Sequence, residues 1–336
     1  MTGLGVILVT LVAFPGGSMG ETAGRLEIVQ RRGFLTCGVW PQVAGCSSVD
    51  PTGQYAGFDV DICRAVSAAI FGAPDKIKFV AVETIEQFLQ SPDMDLVSRR
   101  LTWSVKREGH AGIRFGPTTF YDGQSFLIPR KAKVTRVSQL SGAKICFQPG
   151  SEAESNLGPY FHTHNLLLEP VPVDSFDAID NAFQTRRCHA YTADTSMLGA
   201  IRSGLPDPQN FDILPEQISK EPLAQVVRQE DGSLLDVLRW TVFALINAEE
   251  LGLTSQNVDA MLKSEDPGVR RFLGVTPGVG AALGLNDRWA YNIVKTLGNY
   301  GELFERNVGT LSPIRLPRGL NSLWTEGGLM YAPPVG

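Results

Sequence analysis

The segment 94–107, MDLVSRRLTWSVKR, decides the fold prediction, because an apolar run passes directly into a polar cluster. Met94, Leu96 and Val97 form a short apolar run that is typical of a buried strand. Hydroxyl and guanidinium groups follow, and the segment ends on Arg107. Arginine binds a carboxylate with two parallel hydrogen bonds, and hydroxyls add single donors. The segment therefore predicts a carboxylate site at the end of a strand; a solvated turn with surface arginines is the alternative.

The sequence around this segment alternates between predicted strands and helices. Residues 35–40 and 77–82 have the apolar pattern of strands, and residues 59–71 place apolar side chains on one helical face. The run at 94–98 adds a third strand. Strands that alternate with helices predict a parallel sheet covered by helices.

A second α/β series follows an extended segment at 120–128, which contains a predicted hinge at 121–123. It has a strand over 144–148, and a later strand over 188–193 that ends on Asp194. Two such series form two lobes, and a ligand would lie between them at the carboxyl ends of the strands. Arg107 from one lobe and Asp194 from the other would suit a zwitterion, although Asp194 could instead only cap the next helix.

The C-terminal third is predicted to be helical. Apolar residues recur at helical spacing over 233–251 and over 287–304. The last residues, 323–334, contain Trp324, Tyr331 and paired prolines, which indicate a packed segment. The fold class is therefore α/β, two-lobed, with a C-terminal helical extension.

Composition excludes several classes of protein. The chain has 336 residues, 43% of them hydrophobic, which is enough for two ordinary domains. Its net charge is −5 and it contains no run of Lys or Arg, so nucleic-acid binding is not expected. No pair of cysteines has the spacing of a zinc site, and we expect neither a metal nor a cofactor.

The N-terminus has the pattern of a secretory signal peptide. Residues 1–20 carry no charge, and their apolar core at 5–14 is too short to span a bilayer. Ser18 and Gly20 are placed for cleavage after residue 20, but no basic residue precedes the apolar core. We therefore predict an exported protein; a buried N-terminal strand is the alternative.

An exported chain is expected to use its cysteines in disulfides. Cys37 lies on a predicted strand and Cys63 on the following helix, while Cys146 and Cys188 lie on two later strands. We predict the pairs Cys37–Cys63 and Cys146–Cys188, which leave Cys46 unpaired. The alternative is five free, buried thiols.

The chain resembles the periplasmic general L-amino-acid-binding proteins of ABC transporters, which have the type II periplasmic binding fold. The stretches that carry the resemblance cover nearly everything after the signal peptide. They are GFLTCGVW (33–40), YAGFDVDICRAVSAAIFG (55–72), MDLVSRRLTWSVKRE (94–108), PTTFYDGQSFLI (117–128), LSGAKICFQPGS (140–151), RRCHAYTADTSML (186–198), ILPEQISKEPLAQVVRQ (213–229), ALINAEELG (244–252), NYGELFERNVG (299–309), RGLNSLW (318–324) and GGLMYAPP (327–334).

The resemblance implies capture of free L-amino acids and their delivery to a membrane ABC permease by a monomeric protein that is not an enzyme. It implies a signal peptide at 1–20, a first lobe at 25–128, a second lobe at 129–222, and a return to the first lobe plus a helical extension at 223–336.

The resemblance also assigns roles to individual residues. Arg107 would bind the ligand α-carboxylate and Asp194 the α-amino group. Thr102 would contribute its hydroxyl, and Gly150 and Ser151 further carboxylate donors. Independently of the resemblance, Trp40 and Trp103 could line the cleft or belong to the core, and Trp103 is the one expected to line the cleft.

Two further ligand-site candidates depart from the family pattern: Glu152 stands where a second hydroxyl is expected, and Arg100 where a small polar residue is expected. A carboxylate about 4 Å from the ligand carboxylate would cost about 4 kcal/mol at an effective dielectric constant of 20. Glu152 could pair with Arg100 or point away. Otherwise the chain is a diverged paralogue with altered or lost binding and a sensory role, or a cyclohexadienyl-dehydratase-like enzyme with Glu152 as the acid or base.

Overall fold

The computed structural model describes residues 23–110, 112–175 and 177–335. The predicted signal peptide at 1–20 lies outside these residues. Within the described ranges, no helix combines the length and the apolarity that crossing a bilayer requires.

The strands and helices follow the alternating order predicted from the sequence. The strands are β1 Leu35–Val39, β2 Gln42–Val43, β3 Ser47–Val49, β4 Tyr55–Ala56, β5 Ile77–Ala81, β6 Leu96–Thr102, β7 Ile113–Asp122, β8 Gln124–Pro129, β9 Lys144–Phe147, β10 Glu169–Pro172, β11 Ala190–Asp194, β12 Phe211–Ile213 and β13 Glu221–Arg228. The helices are α1 Arg25–Arg32, α2 Phe58–Phe71, α3 Ile85–Leu89, α4 Val105–His110, α5 Glu152–Thr163, α6 Asp177–Gln184, α7 Thr195–Gly204, α8 Gly232–Glu250, α9 Val258–Met261, α10 Pro267–Phe272, α11 Trp289–Leu297 and α12 Tyr300–Asn307. Short 3₁₀ helices occupy Arg130–Ala132, Val137–Leu140, Pro208–Asn210, Ala281–Leu283, Gly319–Asn321 and Trp324–Glu326.

Two five-stranded sheets form two lobes, which confirms the predicted two-lobed α/β fold. The first sheet has the order β5-β1-β6-β13-β7, with β1 parallel to β5 and β6, and β13 antiparallel to β6 and β7. The second has the order β10-β9-β11-β8-β12, with β9 parallel to β10 and β11. A small sheet of β2, β3 and β4 lies beside the first.

Helix α2 is the centre of the first lobe's core. Its sequence, FDVDICRAVSAAIF, is apolar on nearly all sides, and the helix is buried along most of its length. It ends where Gly72 adopts the left-handed conformation at φ 72° and donates its backbone N–H to Ala68 O. Helices α8 and α11 pack against it, so the C-terminal extension completes this core.

The chain crosses between the lobes at Gly123 and again over residues 214–220. Gly123 separates β7 of the first sheet from β8 of the second, ahead of the predicted division at residue 128. A side chain at position 123 would come within 2.6 Å of Ser219 O, so the second crossing excludes any larger residue there. Gln124 N donates to Ser219 Oγ at 3.1 Å, which holds the two crossings together.

Both predicted disulfides are present. Cys37 pairs with Cys63, and Cys146 pairs with Cys188, at Cα–Cα distances of 6.4 and 5.5 Å. Cys46 is free and buried. Each bridge lies within one lobe, so neither restricts movement of one lobe against the other.

Several elements differ from the sequence prediction. Helix α1 was not predicted, and the extended segment expected over 120–128 is two strands, β7 and β8, the first of which begins at Ile113. Strand β6 runs to Thr102 rather than ending at 98, and it is followed by the short helix α4, which was not predicted. The single helix expected over 287–304 is broken at Gly298, which has φ 83°. Asn299 then starts α12 with a capping box, accepting from Glu302 N while the Glu302 side chain accepts from Asn299 N.

Residues 308–321, which we call the strap, run from the first lobe onto helix α7 of the second. The guanidinium of Arg202 donates to Ile314 O at 2.7 Å and to Arg315 O at 3.1 Å. Gly199 leaves room for Ile314, since a Cβ at position 199 would lie 2.7 Å from that side chain. At its other end, Asn321 accepts from Tyr121 N at 2.7 Å. The strap therefore contacts both lobes next to the first crossing.

Candidate functional site

A cavity of about 220 Å³ lies between the two lobes. The first lobe lines it with Trp40 and with residues 99–102 and 107. The second lobe lines it with residues 148, 151–153, 191–194 and 197. Strands β6 and β11 point their carboxyl ends at this cavity, so the predicted cleft and the observed one coincide.

Arg107 lies in helix α4, just after strand β6, and hydrogen bonds to nearby residues hold it there. Its Nη1 donates to Thr102 O at 3.0 Å, and its backbone N donates to Ser104 Oγ at 3.3 Å. The Thr102 hydroxyl donates to Glu221 Oε2 at 2.8 Å. Arg107 and Thr102 both line the cavity, but the Thr102 hydroxyl already has an acceptor in the first lobe.

Glu152 of the second lobe forms an ion pair with Arg107 of the first. Arg107 Nη2 donates to Glu152 Oε1, so the glutamate pairs with Arg107 and not with Arg100, one of the partners considered from the sequence. The Glu152 side chain is 54% exposed, which keeps this pair in contact with solvent. The group expected to bind a ligand carboxylate therefore binds a carboxylate of the protein itself.

Arg100 reaches across the cleft into the second lobe. Its Nη2 lies 3.2 Å from Asp194 Oδ2 and 3.4 Å from Asp122 Oδ2, and its Nε donates to Ser196 Oγ at 3.1 Å. The side chain is only 8% exposed. Asp122 also accepts from the Ser196 hydroxyl, so Arg100 joins a buried polar network at the first crossing.

The backbone of Arg100 is in the left-handed region, at φ 54°. A non-glycine residue there is strained by about 1 kcal/mol, and glycine or asparagine would adopt the conformation more easily. The pairing of β6 with β13 is irregular next to this residue, between Ala224 and Val226. The hydrogen bonds of the guanidinium offset this backbone strain.

Asp194 stands at the end of β11, directly before helix α7. Its side chain makes no capping hydrogen bond to that helix, in contrast to the purely structural role considered from the sequence. Burial, followed by the negative charge of Asp122, raises the pKa of Asp194 to about 7, and Arg100 opposes this shift. Asp194 is therefore a carboxylate that a cation in the cleft would stabilise in its ionised form.

Gly150 and Ser151 form the turn that starts helix α5. Gly150 has φ 75°, and its N–H donates to Glu154 Oε2 at 2.7 Å. Ser151 Oγ donates to Gln148 O at 2.6 Å and accepts from Glu154 N at 3.3 Å. Ser151 lines the cavity and Gly150 does not. Both predicted donors are already bonded within their own turn.

Trp103 does not line this cavity. It lines a separate groove with Phe115 and Tyr331, its indole stacks on Phe115 at 5.8 Å, and its Nε1 donates to Glu108 Oε2 at 2.7 Å. Trp103 comes directly after Thr102, the last residue of β6, and its side chain lines this groove while that of Thr102 lines the cavity. Trp40 is the tryptophan that lines the cleft.

Four residues at or next to the cleft were not predicted from the sequence. Arg99 lines the cavity, while Asp122, Ser196 and Glu221 bond to cavity residues from outside it. Asp122 lies within the predicted hinge at 121–123, which was the available signal. The contacts of the other three depend on tertiary packing, which no local pattern specifies. The described residues contain no group of three or more His, Cys, Asp or Glu side chains arranged to hold a metal ion.

Comparison with known proteins identifies the class to which this fold and cleft belong. Residues 35–257 match the bacterial extracellular solute-binding proteins, family 3, and the chain belongs to this family. It is 45% identical over 323 residues, 95% of each chain, to the general L-amino acid-binding periplasmic protein AapJ of Rhizobium johnstonii. It is 40% identical over 329 residues, 97% of each chain, to the glutamate/glutamine/aspartate/asparagine-binding protein BztA of Rhodobacter capsulatus.

Solved structures agree with this assignment. A periplasmic binding protein of an ABC transporter from Brucella ovis, solved with glutathione bound, is 44% identical, with a TM-score of 0.84 over 94% of this chain and 100% of that one. An ancestral cationic amino acid solute-binding protein is 20% identical, with a TM-score of 0.55 over 68% of this chain and 94% of that one, and shares the fold alone.

Proposed function

We propose that this chain captures L-amino acids in the cleft between its lobes and delivers them to the membrane permease of an ABC transporter. One observation carries the proposal: Arg107 and Asp194 come from different lobes and line the same cavity. A guanidinium and a carboxylate across one small cavity are complementary to the two charges of a free amino acid. The names of AapJ and BztA, which describe amino-acid binding, support the same ligand class.

In this proposal Arg107 binds the ligand carboxylate and Asp194 binds the ligand ammonium. Each charge-assisted hydrogen bond contributes roughly 1.5–3 kcal/mol. Three or four of them would support binding near the micromolar range, about −8 kcal/mol, after the entropic cost of association. Because the two groups belong to different lobes, a bound amino acid stabilises the closed arrangement about Gly123 and residues 214–220.

The ligand must compete with two intramolecular partners. Its carboxylate competes with Glu152 for Arg107, and its ammonium competes with Arg100 for Asp194. This competition supports a second candidate function, that of a diverged paralogue in which amino-acid binding is altered or lost and a sensory or interaction role remains. The two candidates differ in whether any amino acid stabilises the protein.

Catalysis is not part of the proposal. The dehydratase-like alternative requires a free acid or base in the cleft, and its candidate, Glu152, accepts a hydrogen bond from Arg107 instead. The proposed protein acts as a monomer in the periplasm, exported by the signal peptide at 1–20. Its first lobe comprises residues 25–122 and 221–335, and its second lobe residues 124–213.

A thermal-shift screen of the purified protein against the L-amino acids, followed by calorimetry, tests the proposal. Several amino acids should raise the melting temperature, and Arg107→Ala and Asp194→Ala should each abolish the shift. Arg130→Ala is the matched control, because Arg130 pairs with Asp212 on the exposed surface outside the cleft. A protein that responds to no amino acid would overturn the proposal in favour of the diverged paralogue.

A further inference from the structure

Three arginines of the first lobe, Arg99, Arg100 and Arg107, line the cleft, and their hydrogen bonding differs. Arg100 is bonded to Asp194, and Arg107 to Glu152. Arg99 is in no ion pair and donates no hydrogen bond among the described residues, and its Nε is buried without a partner. Arg99 is thus the one cleft arginine whose guanidinium is not already bonded to an acceptor in the described part of the chain.

The position of Arg99 is nevertheless fixed. Its guanidinium lies over the indole ring of Trp40, 5.8 Å from the ring centroid. A cation at this distance is attracted to the face of the ring. Trp40 and Arg99 both line the same cavity as Arg107, so the cation faces the ligand space.

The electrostatic surroundings of Arg99 favour an added anion. Burial, followed by the positive charge of Arg107, lowers the pKa of Arg99. Asp59 and Glu83 attract the cation, but neither forms an ion pair with it. Asp59 instead accepts from Ser98 Oγ at 2.8 Å, on the other side of the strand. A ligand anion at Arg99 would compensate both the desolvation of the buried cation and its repulsion by Arg107.

We propose that Arg99 and Trp40 form a second anion subsite, which binds the side-chain carboxylate of a dicarboxylic L-amino acid while Arg107 binds its α-carboxylate. The inference rests on the proposed function, which places the α-carboxylate at Arg107. A cavity of about 220 Å³ is below the usual size of sites for drug-sized ligands, which favours a single amino acid over a larger peptide.

Calorimetry with the pairs glutamate and glutamine, and aspartate and asparagine, tests the subsite. The wild-type protein should bind each acid at least about tenfold more tightly than its amide, as expected for a charge-assisted hydrogen bond. Arg99→Met should weaken binding of the acids by about tenfold or more, and change binding of the amides by less than about threefold. Arg99→Lys should retain part of the preference, because it keeps the charge without the planar fork.

Arg288→Met is the matched control, because Arg288 also lies over an aromatic ring, that of Tyr291, at 5.6 Å, and does not line the cavity. It should change no affinity. Glutathione is a separate arm, since it carries two carboxylates on a larger molecule, and the subsite as proposed predicts weaker binding than for glutamate.

One set of results would contradict the anion subsite alone, and another would contradict the proposed function. Equal affinity of the wild type for glutamate and glutamine would overturn the subsite even if Arg99→Met did not fold, and would leave amino-acid binding intact. Tighter binding of glutathione than of glutamate would also overturn it, in favour of a peptide site. Absence of any response to amino acids would overturn the proposed function itself.

Discussion

Arg107 of the first lobe and Glu152 of the second form an ion pair across the cleft. Together with the contact of Arg100 to Asp194 at 3.2 Å, it gives the cleft two ion pairs between the lobes. Each occupies a group that would anchor one end of an amino acid. The charges that the cleft offers a ligand are therefore partly satisfied by the protein itself.

Replacing Glu152 should tighten amino-acid binding. Glu152→Thr removes the carboxylate that competes for Arg107 and supplies the hydroxyl expected at this position. Because the pair is largely exposed, the gain should be limited to about 1 kcal/mol, or about fivefold in affinity. Calorimetry at low and high salt measures the effect, and the difference from wild type should shrink as ions screen the pair.

Glu169→Thr, on the exposed surface of β10, is the control for this experiment and should leave the affinity unchanged. A Glu152→Thr protein that binds more weakly than wild type would show that the carboxylate contacts the ligand favourably.

Replacing Arg100 should destabilise the protein. Arg100→Asn relieves the strain of the left-handed backbone, which is worth about 1 kcal/mol. The substitution also leaves Asp122 and Asp194 without their guanidinium partner, which costs about 3–5 kcal/mol. The net loss of unfolding free energy should be about 2–4 kcal/mol at pH 8, measured by urea titration.

Arg186→Asn provides the matched control for Arg100, because Arg186 has φ 56° and is exposed. Arg186→Asn should raise the free energy of unfolding slightly, because it changes only the strain of the left-handed backbone. Equal effects of the two substitutions would mean that the interlobe contacts of Arg100 contribute nothing.

Amino-acid binding should weaken as the pH falls below about 7. An ammonium group requires ionised Asp194, whose pKa is raised to about 7 by burial and by Asp122. Below that pKa the affinity should fall by up to about tenfold per pH unit. Calorimetry from pH 5 to pH 8 measures the profile, and a flat profile would contradict the role of Asp194.

Asp194 gives the stability of the unliganded protein the opposite pH dependence: its contribution to the free energy of unfolding is larger at low pH. Its folded pKa lies above its unfolded value of 3.8, so its stabilising contribution is complete below pH 4 and is lost as the pH rises to about 7. Asp59, whose pKa burial raises to about 6, contributes with the same sign. Asp194→Asn should make the unfolding free energy less dependent on pH in this window, as urea titrations at several pH values would show.

Removing the Cys146–Cys188 disulfide should destabilise the second lobe. The bridge closes a loop of 42 residues, and the loss of its constraint on the unfolded chain corresponds to about 4 kcal/mol. Urea unfolding of the Cys146→Ala/Cys188→Ala protein measures this cost.

A thiol titration tests the pairing itself. The oxidised and denatured wild-type protein should expose one reactive thiol, that of Cys46. Five reactive thiols would contradict both pairings.

The sequence predicted the parts of the site that depend on local pattern. Arg107 closes a polar stretch after a strand, and Asp194 ends another strand, so strand ends alone placed them at the cleft. The partners of Glu152 and Arg100 depend on how the two lobes approach each other, which no local pattern encodes. The break at Gly298 was missed because the apolar spacing continues across it, while the left-handed backbone and the Asn299 cap end one helix and start the next.

The strap at 308–321 links the two lobes through noncovalent contacts, in addition to the two places where the chain crosses between them. It lies beyond the residues that match the family, which end at 257. Any rotation of the second lobe about Gly123 must either carry the strap along or break the bonds from Arg202 to Ile314 and Arg315. An opening that leaves the strap in place therefore costs these hydrogen bonds, so the strap contributes to the free-energy difference between the open and closed arrangements of the lobes.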